Sequence, residues 1–383
     1  VSSPQDGRAQ RPASHGDDVS VRVHPAIASL VPYAPGKPLE EVEREFGIRG
    51  AVKLASNENP LGPSPKALDA LQDAVDTLHL YPDGGAHVLT RALAERWTLP
   101  TSHIVVGNGS DEIISLLVKT FVTPGDEAVM ADQTFVMYKL AVTAGQGVCV
   151  EVPLHGWRHD LPAMAAAVTS RTRLIFVCNP NNPTGTMVTR EEVRAFMDVV
   201  PEDVIVVFDE AYAEYVRDPH YPDSVAYVRY QRPAVVLRTF SKLYGLAGLR
   251  IGYGITTPEI AGYLHRVRNP FNTGTLAQRA ACAALGDAGH VAASRTLNET
   301  EMAAMETGLR RLGFAPLPSQ ANFLYFDVRR DGRAVFDRLL RAGVIVRHIH
   351  GSMLRVTIGR PEENRRFLEA LTDVIGTMPA TGA

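Results

Sequence analysis

The sequence predicts an α/β protein: a three-layer αβα large domain built on a mostly parallel sheet, plus a smaller α+β domain. Three observations carry that expectation. Between residues 103 and 240, runs of branched apolar residues such as RLIFVC and VIVVF alternate with amphipathic stretches such as EEVRAFMDVV. That is the pattern of strands buried on both faces and connected by helices. Polar clusters fall at the carboxyl ends of those runs, where open parallel sheets collect their chemistry. At 383 residues the chain is also too long for one core, so a second domain is expected.

Residues 1–22 are polar, lack an apolar core region and are expected to form a disordered leader. Residues 23–60 read as a Pro-rich, extended arm with a helical piece at PLEEVEREFG, suited to lie on the small domain and on a partner subunit. The arm ends in apolar VKLA and the tight polar segment Asn57-Glu58-Asn59-Pro60. The large domain is placed at 61–285. Within it residues 65–78 are predicted helical, YPDGG at 81–85 a turn and residues 87–97 a helix. HIVVGNGSDEIISLLVKTFV reads as strand, glycine turn and helix. DEAVMAD, GVCVEVPL, RLIFVCNP, VIVVFDEAY and AVVLRTFSK read as strands; FVMYKLAVTAG, LPAMAAAV and EEVRAFMDVV read as helices. Beyond Gly254 the pattern is helical, breaks at NPFNTGT and resumes in LAQRAACAAL. The small domain, 286–383, is expected to hold a long helix over 288–312 and strands at NFLYFDV, GVIVRHI and SMLRVTIG. Two further helices are expected there, AVFDRLLRAG and a closing PEENRRFLEALTDVIG with Pro361 near its start.

Composition narrows the function classes. A net charge of -3 offers no polycationic surface, which argues against nucleic acid as a partner. No apolar run approaches the length of a membrane span. Cys149, Cys178 and Cys282 show neither metal spacing nor a paired pattern and fit a reducing, cytoplasmic setting. No metal site is expected. GNGSDE is neither a dinucleotide fingerprint nor a P-loop.

Lys242 is the residue of most interest. The 39 basic residues include only six lysines, and Lys242 is the only one after Lys139. Arginine supplies charge elsewhere, whereas an amine that forms a Schiff base with an aldehyde must be lysine. A lone turn lysine would look the same, so the neighbours decide. Asp209 ends the apolar VIVVFD, a costly place for a carboxylate unless it is paired. A protonated pyridine nitrogen is a suitable partner; a turn-capping aspartate is the plainer reading. Tyr212, three residues on, and Asn182 in NNPTG can bring a phenol and an amide to the same cavity. Ser110 and Asp111 open a helix whose free N–H groups favour an anion, although an ordinary cap reads alike. Ser241 and Arg250 flank Lys242 and, with that helix start, could hold a dianionic phosphate. Each alone is equally a turn serine or a surface arginine. Together, the amine, the acid, the phenol, the amide and the phosphate cradle describe one cofactor, pyridoxal 5'-phosphate.

The segments VPYAPGKP, KLASNENPLGPSP, YPDG, GNGSDE, CNPNNPTG, FDEAY, RTFSKLYGLAGLRIGY and LRVTIG extend this reading over about residues 24–375. Together they resemble the pyridoxal-phosphate-dependent aminotransferases of fold type I, class II, and within them the histidinol-phosphate aminotransferases. The resemblance implies that Lys242 holds the cofactor as a Schiff base and moves the substrate proton. It implies that Asp209 pairs with the pyridine nitrogen and that Asn182 and Tyr212 contact the ring hydroxyl. Phe135 is implied as the aromatic stacked on the ring, with Tyr138 its rival. Ser110, Asp111, Ser241 and Arg250 are implied as phosphate ligands, joined by Tyr81 from across a homodimer interface. Arg355 is implied to clamp the α-carboxylate of glutamate, a bidentate task, with help from Asn59. Histidinol phosphate lacks an α-carboxylate, so its phosphate is expected near Arg347, with Tyr33 beside the imidazole. A solvated strand-end charge is the other reading of Arg347. The implied activity is ping-pong amino transfer between L-histidinol phosphate and 2-oxoglutarate. Transaminases of phenylalanine or tyrosine carry the same motifs. A binding protein on a silent fold of this kind is the reading from another class; intact Lys242, Asp209 and Arg250 speak against it.

Overall fold

The branched apolar runs fold as the strands of one sheet. In this computed structural model, which describes residues 23–32 and 36–379, the arm first contributes a short strand, β1 (Val52–Lys53). The main sheet then takes β2 (Ile104–Gly107), β3 (Glu127–Ala131), β4 (Val148–Val152), β5 (Thr172–Cys178), β6 (Ile205–Asp209), β7 (Ala234–Thr239) and β8 (Gly252–Thr256). Their spatial order is β2-β8-β7-β6-β5-β3-β4. β4, β3, β5, β6 and β7 pair in parallel. β8 runs antiparallel to both β7 and β2, so β2 points the same way as the parallel five. The expected mostly parallel sheet is therefore present, with one reversed strand inside it.

That reversed strand corrects the sequence reading, which passed over GYGIT. Its two glycines weaken the strand signal, yet Gly252 is there for packing. A Cβ at Gly252 would stand 2.6 Å from the Ser110 nitrogen and 2.9 Å from the Arg238 carbonyl oxygen. The predicted helix over 65–78 is a second correction. It ends at Gln72 and is followed by a 3-10 turn, Val75–Thr77, whose one apolar side chain, Val75, is exposed.

Both sheet faces are covered. In β6, Val206 and Phe208 enter one core while Ile205 and Val207 enter the other, the period-2 alternation of a strand. Helices Ser110–Phe121 and Pro258–Val267 pack on the second core, and His87–Trp97, Arg190–Met197 and Thr275–Leu285 on the first. Each fully buried Val, Leu or Phe contributes about 1.5–3 kcal/mol. Ordering its backbone costs about 1–2 kcal/mol, so a strand buried on one face only would gain little.

The C-terminal region opens with helix Ala288–Arg311. It continues through β9 (Phe323–Asp327), helix Gly332–Arg341, β10 (Val344–Ile345), β11 (Arg347–His350), β12 (Met353–Thr357) and helix Pro361–Gly376. GVIVRHI, read as one strand, is split at Val346. β10 pairs in parallel with β1 of the arm, whereas β11 joins the antiparallel sheet β11-β12-β9. After the split, Arg347 stands directly opposite Arg355 across the β11–β12 pair. A separate apolar core, including Leu54, Met305, Leu324, Val356 and Phe367, fills this region. Among the described residues no helix is long and apolar enough to cross a membrane. The expected leader over residues 1–22, and Tyr33, lie outside the described residues.

Candidate active site

The parallel strands deliver four polar clusters to one edge of the sheet. β2 ends at Gly107 before Ser110, β5 ends at Cys178 before Asn182, β6 ends on Asp209, and β7 ends at Thr239 before Ser241 and Lys242. Between them lies a cavity of about 690 Å³, open to solvent. Its wall contains Ser110, Asp111, Phe135, Asn182, Asp209, Tyr212, Ser241, Lys242, Arg250 and Arg355, all singled out from sequence, and also Asn57.

Lys242 and Asp209 are chemically abnormal. Burial first, and the nearby Arg355 guanidinium second, lower the Lys242 pKa from its usual 10.5 to about 8. Nζ donates to the Ser56 carbonyl oxygen at 3.1 Å and lies 5.8 Å from the centre of the Tyr212 ring. Burial raises the Asp209 carboxyl to about 6, opposed by a hydrogen bond from Tyr138. The Tyr138 hydroxyl donates to Asp209 Oδ2 at 2.7 Å and the Ala211 amide to Oδ1 at 3.1 Å. Tyr138 was expected only as an alternative ring-stacking residue. Its ring is instead stacked on Phe176 in the core, 4.6 Å between centroids, while Phe135 forms cavity wall.

At one end of the cavity the groups are arranged for an anion. Gly109, with φ 77°, precedes helix Ser110–Phe121, whose first turn has no side-chain cap. A Cβ on Gly109 would stand 2.6 Å from Arg250 Nη2, so glycine lets the arginine close over the helix start. Arg250 itself has φ 52°. It donates from Nη1 to Ser241 Oγ at 3.3 Å and from Nη2 to Asp111 Oδ2 at 3.4 Å. Backbone N–H groups, a hydroxyl and a guanidinium thus surround one point. The loop carrying Gly109 is held by Glu112, which accepts from the Asn108 amide and from Asn272 Nδ2, both at 2.6 Å.

At the other end stands Arg355, which is buried. Its guanidinium donates to Asn182 Oδ1 and, at 2.6 Å, to the Ala55 carbonyl oxygen, and lies 5.2 Å from the Phe323 ring centre. An adjoining cavity shares Phe135, Asn182 and Arg355 with the first and adds Pro32, Arg347 and Ile349.

Asn59 and Tyr81, both expected at the site, do not line the cavity of their own chain. Asn59 Nδ2 donates to the Leu243 carbonyl oxygen at 2.6 Å and to Ser294 Oγ at 2.8 Å. It braces the SNENP segment against the loop after Lys242. Gly245 serves the same contact, since a Cβ there would lie 2.1 Å from the Gly62 carbonyl oxygen. Asn57 takes the place at the cavity. Tyr81 is 82 % exposed and stacks on Phe271 at 4.7 Å. Behind the site, Arg238 bridges the buried carboxylates of Glu210 (2.6 Å) and Glu214 (3.0 Å), a cluster with no sequence signal beyond FDEAY.

Comparison with known proteins agrees with this geometry. Residues 49–371 match the family model described as aminotransferase class I and II. A histidinol-phosphate aminotransferase from Moorella thermoacetica is 51% identical over 94% of this chain and 96% of its own. One from an Anaeromyxobacter species is 50% identical over 92% of this chain and 99% of its own. The crystal structure of histidinol-phosphate aminotransferase from Sinorhizobium meliloti in complex with pyridoxal-5'-phosphate superposes with a TM-score of 0.87. It is 31% identical and covers 94% of this chain and 99% of that one. A reactive-range lysine, a buried acid and an anion cradle on one parallel-sheet edge, together with near-full-length matches, place the chain in a family: it belongs to the class I and II aminotransferases.

Proposed function

We propose that this chain is a pyridoxal-phosphate-dependent transaminase acting on L-histidinol phosphate and 2-oxoglutarate. The observation that carries the proposal is one cavity holding Lys242 and Asp209, with an anion cradle at one end and Arg355 with Arg347 at the other. The relatives named above support the substrate, and the residues present fit the cofactor. Gly109, with no side chain, lets the Arg250 guanidinium close over the start of helix Ser110–Phe121, where a phosphate would sit. Asp209 is a buried acid suited to a cationic ring nitrogen, and Lys242 is a partly buried amine of lowered pKa.

When bound, pyridoxal phosphate supplies an aldehyde that condenses with amines and a ring that draws electrons from the carbon losing its proton. Ser110, Asp111, Ser241 and Arg250 would hold its phosphate, with Tyr81 of a second subunit. Asp209 would keep the ring nitrogen protonated. Phe135 would cover the ring, and Asn182 and Tyr212 would meet its hydroxyl oxygen. Lys242 Nζ, with a pKa of about 8, is neutral often enough near pH 7 to take up the substrate's α-proton. Arg355 would bind the carboxylate of glutamate in a bidentate manner, and Arg347 would join it around the phosphate of histidinol phosphate. Two guanidinium groups opposite each other on β11 and β12 suit a dianion better than a carboxylate. Tyr33 of the arm would complete the imidazole side.

The proposal includes a homodimer of chains with a large domain at 61–285, a small domain at 286–383 and the arm at 23–60. Val75, Leu78, Leu80, Tyr81, Val88 and Phe271 are all exposed, an apolar strip that a partner subunit would cover. The unpaired Cys149, Cys178 and Cys282 suit a cytoplasmic enzyme. Steady-state kinetics test the substrate. The expected outcome is a kcat/KM for histidinol phosphate far above those for phenylalanine and tyrosine, with 2-oxoglutarate as acceptor. Arg347→Ala should lose about a hundredfold on histidinol phosphate, the value of one charged contact of ~3 kcal/mol, and leave the glutamate half-reaction nearly intact. A preference for phenylalanine would overturn the assignment.

A further inference from the structure

Asn57 is 1 % exposed, has φ 56° and joins three parts of the chain through its hydrogen bonds. Its backbone N–H donates to Thr357 Oγ1 on β12 at 3.0 Å. The same Thr357 oxygen lies 3.0 Å from Asn57 Oδ1. Asn57 Nδ2 lies 2.9 Å from the Tyr212 hydroxyl oxygen, and the Asn57 carbonyl accepts from Asn322 Nδ2 at 3.1 Å.

These distances fix where each proton must be. The Thr357 hydroxyl oxygen accepts the Asn57 backbone N–H, and among the described residues its own proton has no acceptor in reach other than the Asn57 side chain. That proton needs an acceptor, which turns Oδ1 toward Thr357 and Nδ2 toward Tyr212. Nδ2 has only protons to offer. The Tyr212 oxygen therefore accepts, and the Tyr212 proton points elsewhere. Among the described residues no group accepts that proton, and Tyr212 borders the cavity together with Lys242 and Asp209. Burial raises the phenol above its usual range, so the proton stays on the oxygen.

We infer that Asn57, locked by Thr357, is a positioning residue that aims the Tyr212 hydroxyl proton into the cavity. The inference rests on the reading above in which Tyr212 meets the cofactor's ring oxygen. It extends that reading to two residues outside the reacting groups. Thr357 lies two residues from Arg355, on the same face of β12, so one strand both holds substrate and sets the proton direction at Tyr212.

The test is the pH titration of the visible absorption of the cofactor-loaded enzyme, with cofactor affinity measured alongside. A proton donated to the ring oxygen stabilises negative charge there, so losing it moves the titration midpoint upward. Tyr212→Phe should move it by about one pH unit. Asn57→Asp puts an acceptor where Nδ2 stood and draws the Tyr212 proton out of the cavity, giving a shift of similar size. Thr357→Val frees the Asn57 amide to turn over and should do the same. Thr357→Ser restores the hydroxyl and should titrate like the unaltered enzyme. Asn57→Ala removes the amide without offering a competing acceptor, so the Tyr212 proton is no longer fixed but is not drawn out of the cavity, and its shift should be the smallest of the Asn57 changes. A merely structural role predicts the reverse order, because Ala deletes more contacts than Asp and suits positive φ less well. If Tyr212→Phe moves the midpoint while Asn57→Asp and Thr357→Val do not, the inference is wrong and the site assignment stands. If Tyr212→Phe leaves the midpoint in place, the assignment of Tyr212 to the ring falls and the inference falls with it. Should Asn57→Ala fail to fold, the contrast between Thr357→Val and Thr357→Ser decides alone.

Discussion

Replacing Lys242 by Met should remove activity and yet stabilise the cofactor-free protein near neutral pH. The folded state disfavours the ammonium: burial and the Arg355 charge lower its pKa from 10.5 to about 8. One pKa unit corresponds to about 1.4 kcal/mol, so carrying that charge at pH 7 costs the fold about 3 kcal/mol relative to the unfolded chain. The cavity is open to water, and screening reduces this to about 2 kcal/mol. Methionine keeps most of the apolar stem. It forfeits the hydrogen bond to the Ser56 carbonyl, about 1 kcal/mol. A net gain of ~1 kcal/mol remains.

The pH dependence gives the sharper test of the same change. A base whose folded pKa lies below its unfolded one binds fewer protons when folded between those two values. Stability of the unaltered protein should therefore rise as pH goes from about 8 to 10.5, and the advantage of Lys242→Met should vanish across that window. Urea unfolding of the cofactor-free proteins, at equal protein concentration and at both ends of the window, measures this. A variant less stable than the parent at pH 7, or a gap that does not change with pH, would refute the reasoning.

Tyr138→Phe keeps the ring stacked on Phe176 but deletes the donor to Asp209 Oδ2. Losing a bond to a buried carboxylate costs about 1.5–3 kcal/mol, which should weaken cofactor binding about tenfold to a hundredfold at pH 7 in an equilibrium titration. Asp209 must be ionised to pair with a ring N–H, so affinity falls as pH drops through its pKa, about 6 in the unaltered protein. In the variant that fall should begin at higher pH. Arg238→Met leaves Glu210 and Glu214 buried without their shared counter-charge. A loss of about 3–5 kcal/mol is expected, read as a lower urea midpoint. It should be partly recovered in acid, where the carboxyl of Glu210, already raised by burial, takes up a proton.

Much of this was legible because a parallel sheet converts sequence position into spatial position. Each apolar run ends at the same sheet edge, so the residues that follow Gly107, Cys178, Asp209 and Thr239 had to meet. Side chains displayed on those ends, such as Lys242 and Ser110, could be named from order alone. What was not legible depends on contacts between distant segments. Asn57 and Asn59 look equivalent in SNENP. The left-handed backbone at Asn57 sends one amide to Tyr212 and leaves the other to tie down the loop after Lys242. Tyr138 lies on a helix face that reads as core, and only its hydroxyl reaches Asp209. β8 was hidden by its two glycines, of which Gly252 is required by the nearby Ser110 backbone.

The two halves of the cavity differ in how they are specified, and the difference explains where specificity can vary. The cofactor half hangs on strand ends of one sheet, which the cores on both its faces hold rigid. The substrate half is assembled from the arm, the loop after β5 and the β11–β12 hairpin, which meet only through tertiary contacts such as Arg355 to Asn182 and Ala55. Two arginines opposite each other on antiparallel strands repel by a few tenths of a kcal/mol to about 1 kcal/mol without a ligand. A phosphate dianion between them reverses the sign of that term, while a neutral aromatic ring would leave it in place. On the proposed reading, the hairpin that carries Arg347 is the element that would favour a phosphorylated substrate, and changing it should alter substrate choice without disturbing the chemistry at Lys242.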